Sequence, residues 1–112
     1  MAMFLGLDAG TTSVKAGSFD SSGHAIAIGR MEYSLETVVA DWMELHPNVY
    51  WNACARAVHP VFDLSKIDPG EITALAISSQ GETVIPVGKG DLPLRTVLIW
   101  LDNNMDAFSR VI

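Results

Sequence analysis

The apolar positions in the first third of the chain fall into short runs separated by turn-forming clusters. Phe4 to Leu7 is one such run, Val14 to Phe19 a second and Ala25 to Tyr33 a third. Between them stand Asp8 to Ser13 and Asp20-Ser21-Ser22-Gly23, both rich in residues that favour tight turns. Runs of this length joined by turns of this composition predict an antiparallel meander of three strands. Asp41 to His46 mixes aromatic and acidic residues and reads as a loop, after which Pro47 suits the first turn of a helix. Tyr50, Ala53, Cys54, Ala57, Val58 and Val61 then recur at helical spacing, an apolar stripe fit to pack on a sheet. Pro60 is expected to kink or end that helix, because it lacks an N–H and its ring crowds the preceding turn.

After the turn Asp68-Pro69-Gly70, the run Ile72 to Ile77 is nearly all apolar. It predicts a strand buried on both faces and parallel to its neighbour. Thr83 to Val87 and Thr96 to Trp100 are further strand candidates, joined across Gly88-Lys89-Gly90-Asp91. That loop is not a P-loop: the glycine spacing is wrong and no Ser or Thr follows Lys89, so a surface hairpin loop is the reading. Met105, Phe108 and Val111 suggest a last helix, for which Asp102 would serve as N-cap. A meander, a helix and a buried parallel strand, in that order, make an α/β domain. No internal repeat, low-complexity tract or interdomain linker interrupts it.

Composition narrows the class. A chain of 112 residues that is 49% hydrophobic and 18% charged suits one globular domain with a modest core. Its formal net charge of -6 argues against a nucleic-acid or anionic-membrane surface. Cys54 is the single cysteine, which excludes an internal disulfide and fits a reducing cytosol; it reads as a small buried residue on the helix rather than a nucleophile. Met1 to Leu7 has no cationic region before its apolar run, and no apolar stretch approaches the ~18 residues of a membrane span. A cytoplasmic protein is expected.

The chemistry concentrates in the first turn. Asp8 offers hard oxygens to Mg²⁺ directly or through water, the way this ion is held beside nucleotide phosphates. Gly10 lets the backbone adopt unusual angles and approach a phosphate. Backbone N–H groups of such a turn form an anion-binding concavity, to which Thr11, Thr12 and Ser13 add hydroxyls and Lys15 a positive charge. A plain tight turn is the competing reading, since Asp and Gly are common in turns. It leaves three consecutive hydroxyls and Lys15 without a purpose.

Asp8-x-Gly10-Thr11-Thr12-Ser13-x-Lys15 resembles the first phosphate motif of the FGGY family of carbohydrate kinases, whose fold is the ribonuclease-H-like fold shared with actin, hexokinase and the heat-shock chaperone ATPases. Three later blocks lie in the family's order. Trp42-x-Glu44-x-x-Pro47 with Trp51 resembles the stretch that opens the family's first helix, with His46 in place of the usual acidic cap. Ser79-Gln80-Gly81-Glu82 resembles the substrate loop that follows the buried strand, and Leu94-Arg95 to Trp100-x-Asp102 the stretch that closes the sugar pocket.

The resemblance implies transfer of the ATP γ-phosphoryl, assisted by Mg²⁺, to a hydroxyl of a sugar or polyol. Asp8, Gly10, Thr11, Thr12, Ser13 and Lys15 would hold the nucleotide's phosphates, with Asp8 toward the metal. Gln80, Glu82, Trp100 and Asp102 would face the acceptor: Gln80 donates and accepts, Glu82 accepts from hydroxyls, and Trp100 offers an apolar wall to a C–H face. Each has a plainer reading, a solvated loop for Gln80 and Glu82, a core aromatic for Trp100 and a helix cap for Asp102. Gly81 stands where relatives carry larger side chains and Asn103-Asn104 where many carry an arginine, so the particular sugar is open. The family's general base belongs to a later segment that these 112 residues do not match. The chain therefore reads as the N-terminal portion of the first actin-like domain of a kinase, inactive alone and, with exposed sheet edge and apolar surface, open to homo-oligomerisation. An actin-like ATPase acting on a protein client and a non-catalytic interaction module are the alternatives.

Overall fold

The computed structural model describes residues 2–33, 36–39, 42–81, 83, 85–94 and 97–98. In chain order these form β1 (Met3–Ala9), β2 (Ser13–Phe19), β3 (Ala25–Glu32), β4 (Glu36–Val39), β5 (Trp42–Leu45), helix α1 (Pro47–Ser65), β6 (Ile72–Ser79) and β7 (Val97–Leu98). The chain divides into two compact units, Met1–Tyr33 with Tyr50–Ser79, and Ser34–Val49 with Gln80–Ile112.

The first unit is built on a four-stranded sheet in the order β3-β2-β1-β6. β1 pairs antiparallel with β2 and β2 with β3, so the expected meander is present; β6 joins the other side of β1 and runs parallel to it. The registers sort the side chains into two faces. Leu5, Leu7 and Ala9 stand level with Ser18, Ala16 and Val14 on β2 and with Leu75, Ile77 and Ser79 on β6. Gly29 lies opposite Ala16 on this same face, and there α1 comes close: a Cβ at Gly29 would sit 2.0 Å from the carbonyl oxygen of Ala57. Only glycine permits that approach. Ala53, Ala57 and Val61 of α1 are buried together with Val14, Ala16 and Ala27 of the sheet, and they form the core.

Because α1 lies over β2 and β3, cover falls away across the sheet. Val14 is fully buried, Leu5 and Leu7 are half-buried, and Leu75 and Ile77 are 52% and 65% exposed. The expectation that β6 is buried on both faces is therefore corrected. β6 is parallel as expected, but among the described residues it is an edge strand beyond the reach of α1. Its apolar run reports a strand able to be covered, not one that is covered here.

Three further expectations change. Pro60 does not end α1, which continues to Ser65. Burial of Val61, one residue beyond the proline, holds the last turn against the sheet. In the second unit Trp42–Leu45, read as loop, is a strand pairing antiparallel with both β4 and β7. The expected hairpin between Thr83 to Val87 and Thr96 to Trp100 is also not formed among the described residues. Val87 instead bridges Pro93, the intervening residues form a 3-10 turn at Lys89–Asp91 with Gly90 at φ 75°, and Val97–Leu98 pairs with β5. Pro86 and Pro93 lack the N–H groups that a longer ladder would need.

The start of α1 explains one irregularity of its sequence. His46 precedes Pro47, and its Nδ1 accepts the backbone N–H of Asn48 at 3.2 Å while its carbonyl accepts that of Val49 at 2.9 Å. The imidazole thus does the capping that a short acidic side chain usually does. Among the described residues no helix is long and apolar enough to cross a membrane.

Candidate functional site

β1 and β2 are joined across a four-residue turn in which the Gly10 N–H donates to the Ser13 carbonyl at 2.9 Å, leaving Thr11 and Thr12 at the tip. Asp8 and Lys15 are cross-strand partners just below it and point to the face opposite α1. Both are exposed, and no ion pair joins them. The Asp8 carboxylate accepts no hydrogen bond from any described residue. An exposed carboxylate and an exposed ammonium therefore stand side by side, each with its bonding capacity free for something outside the described residues.

Below them the open face is hollowed. Gly6 and Gly17 lie opposite one another, and with Phe19, Ile28, Leu7 and Ala16 they line a trough of about 250 Å³ that ends at Asp8 and Lys15. A Cβ at Gly17 would fall 2.8 Å from the end of Ile28 and 2.9 Å from the Phe19 ring. The two glycines keep this side of the sheet low.

Gly10 serves the turn differently from the expectation. It does not take a positive φ, which in the described chain glycine does only at Gly23 and Gly90. What excludes a side chain is space, since a Cβ would lie 3.1 Å from the Ser13 carbonyl oxygen. Its N–H is also spent inside the turn, so it is not one of the amides a phosphate would meet.

Tyr33, which sequence reasoning passed over as the end of a strand, holds the turn from the α1 side. Its N–H donates to the Thr12 carbonyl at 3.0 Å, and its hydroxyl donates to the Gly10 carbonyl. Its ring meets that of Tyr50 on α1 edge to face, with centroids 5.1 Å apart and planes at 70°. Burial pushes its phenol well above the ordinary value, with Tyr50, Cys54 and the Asp8 charge adding to the effect. The hydroxyl therefore remains a donor at neutral pH. The signal was a lone tyrosine after an alternating strand, which sequence cannot tell from ordinary core.

β6 ends beside this turn: Ser78 stands level with Asp8 and Ser79 with Ala9. In open α/β sheets ligands bind where strands end in this way. Gln80 follows Ser79 in the chain and is half-buried. At Gly81 an added Cβ would meet no atom within 4 Å, so the small residue leaves open space. The Thr83 hydroxyl is buried without a hydrogen-bond partner in the described chain. Glu82, Trp100 and Asp102, with the last helix and Asn103-Asn104, lie outside the described residues. Cys54 is half-buried on α1 and its thiol is raised by burial, in keeping with a structural residue.

No group of three or more His, Cys, Asp or Glu side chains gathers among the described residues. Mg²⁺ beside a nucleotide needs no such group, because phosphates and water supply most of its ligands and one carboxylate suffices. Exposed and uncommitted, Asp8 fits that requirement.

A 3-2-1-6 sheet with an Asp-Ala-Gly-Thr-Thr turn at the end of its first strand is the opening of a ribonuclease-H-like, actin-like domain. Residues 3–111 match the N-terminal domain of the FGGY family of carbohydrate kinases, and the chain belongs to that family. It is 34% identical to the glycerol kinase of Thermococcus onnurineus over 96 residues, 86% of this chain and 20% of that protein. It thus spans about a fifth of the length of the curated relatives it matches. The crystal structure of gluconate kinase from Lactobacillus acidophilus superposes with a TM-score of 0.85 at 28% identity, over 98% of this chain and 22% of that one. Plasmodium falciparum glycerol kinase with ADP gives 0.78 over 99% of this chain and 22% of that one; at 18% identity the likeness is one of fold.

Proposed function

We propose that this chain is the N-terminal portion of the first domain of an ATP-dependent carbohydrate kinase that phosphorylates a hydroxyl of a sugar or polyol in the cytoplasm. The observation that carries the reading is the pair of exposed, uncommitted charges Asp8 and Lys15 at a turn fastened from its other side. A turn built only for folding spends its carboxylate on its own amides; this one keeps it available.

In this reading Lys15 and the Thr11 and Thr12 hydroxyls neutralise and orient the transferring phosphoryl, while Ser13 and Gly10 set the shape of the turn. Phosphoryl transfer is catalysed mainly by such positioning and charge neutralisation. Asp8 holds Mg²⁺ through its carboxylate, and the bound ion supplies neutralisation of phosphate charge. Gln80 and Glu82 orient the acceptor hydroxyl through directional hydrogen bonds, Trp100 lies against the acceptor's C–H face, and Asp102 either reaches the acceptor or caps the helix that follows. The general base belongs to a segment outside these 112 residues. The chain alone therefore transfers nothing, since closure of two domains around the nucleotide is needed to bring base and phosphoryl together.

A coupled assay of the full-length gene product with Mg-ATP and a panel of glycerol, other polyols, aldonates and ketopentoses tests the reading. ATP-dependent phosphorylation of at least one acceptor is expected, with none from residues 1–112 alone. ATP hydrolysis without any phosphorylated acceptor would contradict it.

A further inference from the structure

The turn from Gly10 to Ser13 is closed by its own Gly10 N–H to Ser13 carbonyl bond but lacks the backbone angles that suit such a closure best. Two-residue hairpin loops favour turns with positive φ at a central position, because these match the twist of the flanking strands. Neither Thr11 nor Thr12 takes a positive φ. Threonine is β-branched and resists that region, so the chemistry wanted at the tip conflicts with the backbone that would close the hairpin most easily. Two turn carbonyls are instead held from outside, Thr12 by the Tyr33 N–H and Gly10 by the Tyr33 hydroxyl.

We propose that Tyr33 is a positioning residue for phosphoryl transfer, a tether that sets the angle of the Asp8 to Lys15 turn by holding Gly10 and Thr12 from behind. The proposal rests on the kinase reading above and adds to it a residue that touches neither nucleotide nor acceptor. Three features give the tether its stiffness. The ring is buried and braced edge to face by Tyr50 on α1, so the hydroxyl has little freedom. Its raised phenol keeps the proton that makes the bond. Moreover, α1 approaches β3 at Gly29, where a Cβ would meet the Ala57 carbonyl, so the helix that carries the brace is seated closely on the sheet. Tyr33 works from the α1 side while Asp8 and Lys15 face the other way, so the tether occupies none of the space a phosphate would use.

The Gly10 bond acts on one turn carbonyl, and its loss should be felt locally. Tyr33→Phe removes the hydroxyl and leaves the braced ring. In the protein that carries this chain, deuterium exchange of the peptide covering residues 8–14 should speed by about fivefold, the equivalent of one net hydrogen bond. In the same protein kcat/KM for Mg-ATP should fall by about five- to tenfold, while KM for the acceptor changes less than about twofold. Tyr33→Leu, which removes brace and bond together, should lower the melting temperature as well.

A Tyr33→Phe protein with unchanged exchange at residues 8–14 and unchanged kcat/KM for Mg-ATP overturns the tether, whatever its melting temperature. So does a uniform rise in exchange over the whole unit, which would make Tyr33 an ordinary core residue. The exchange arm does not need activity: if the wild-type protein phosphorylates nothing, the kinase reading fails while the tether is still judged by exchange.

Discussion

The two hairpin turns of the meander use nearly the same residues and come out with opposite chemistry. Asp20-Ser21-Ser22-Gly23 consumes its carboxylate: Asp20 accepts the N–H groups of Ser22 at 2.9 Å and His24 at 3.0 Å, and a second oxygen meets the His24 ring at 3.2 Å. Gly23 supplies the positive φ, 85°, that closes the turn. Asp8-Ala9-Gly10-Thr11-Thr12-Ser13 does neither. Its carboxylate accepts nothing from the described residues, its glycine stays out of the left-handed region, and beside its own Gly10–Ser13 bond two of its carbonyls are held by Tyr33. The Asp20 turn spends its carboxylate on its own amides; the Asp8 turn leaves its carboxylate uncommitted among the described residues.

Exchanging the two aspartates for asparagine is the sharpest way to break this contrast. Under the proposed function, Asp8→Asn should lower kcat of the protein that carries this chain by roughly a hundredfold or more, since it removes the carboxylate that would hold the magnesium ion beside the phosphates. Its melting temperature should stay within about 2 °C of wild type, because no hydrogen bond within the described fold is lost. Asp20→Asn should leave kcat unchanged and soften the fold instead. Steady-state kinetics and thermal melts on the pair decide the matter, and equal effects at both positions would dissolve the distinction.

The next largest effect is expected at Gly29. Gly29→Ala drives a methyl into the Ala57 carbonyl, which is backbone and cannot swing aside, and should cost about 3 kcal/mol in chemical denaturation. If the Asp8 turn is held from the α1 side, exchange at residues 8–14 should rise in this variant more than exchange at residues 19–24, which have their own carboxylate.

Asp20 also gives the comparison a pH dependence. The His24 backbone hydrogen bond, with those from Ser22 and the His24 ring, outweighs the opposing effect of burial and holds its carboxyl below the ordinary 3.8. A depressed folded value means that its contribution to stability is complete above the ordinary carboxylate range and is lost as the pH falls through the folded value. Melting temperatures of wild type and Asp20→Asn should therefore converge on acidification below that range, and a constant gap would remove the assigned cause. The smallest expected effect is at Ser18, whose hydroxyl is fully buried without a partner in the described chain. Ser18→Ala should stabilise the fold by about 1 kcal/mol.

Much of the frame was legible in the sequence because it rests on local pattern. Turn residues delimited the meander, and the stripe from Tyr50 to Val61 announced α1 and the face it buries. What sequence could not supply was what covers what. Ile77 belongs to a more apolar run than Val14, yet Val14 lies under α1 and Ile77 does not. Trp42 to Leu45 looked like loop because its strand character comes from partners distant in sequence, β4 and β7. By local propensity Pro60 marks a kink or an end, and the packing of Val61, distant in sequence from its partners, is what carries the helix past it. At the candidate site the residue types of Asp8 to Lys15 were readable, but the tether was not: Tyr33 reaches Gly10 from 23 residues away, and no local spacing encodes that contact.

The most direct test of the central claim, that the Asp8 turn receives a magnesium-linked phosphate, is calorimetric titration of ATP into the intact protein with and without Mg²⁺, for wild type and Asp8→Asn. Mg²⁺ is expected to tighten ATP binding to the wild type, and this gain to disappear in Asp8→Asn, while metal-free ATP binds both alike or slightly better to the variant, which lacks a repelling charge. An undiminished Mg²⁺ gain in Asp8→Asn would contradict the claim and return the turn to the role its neighbour at Asp20 plays.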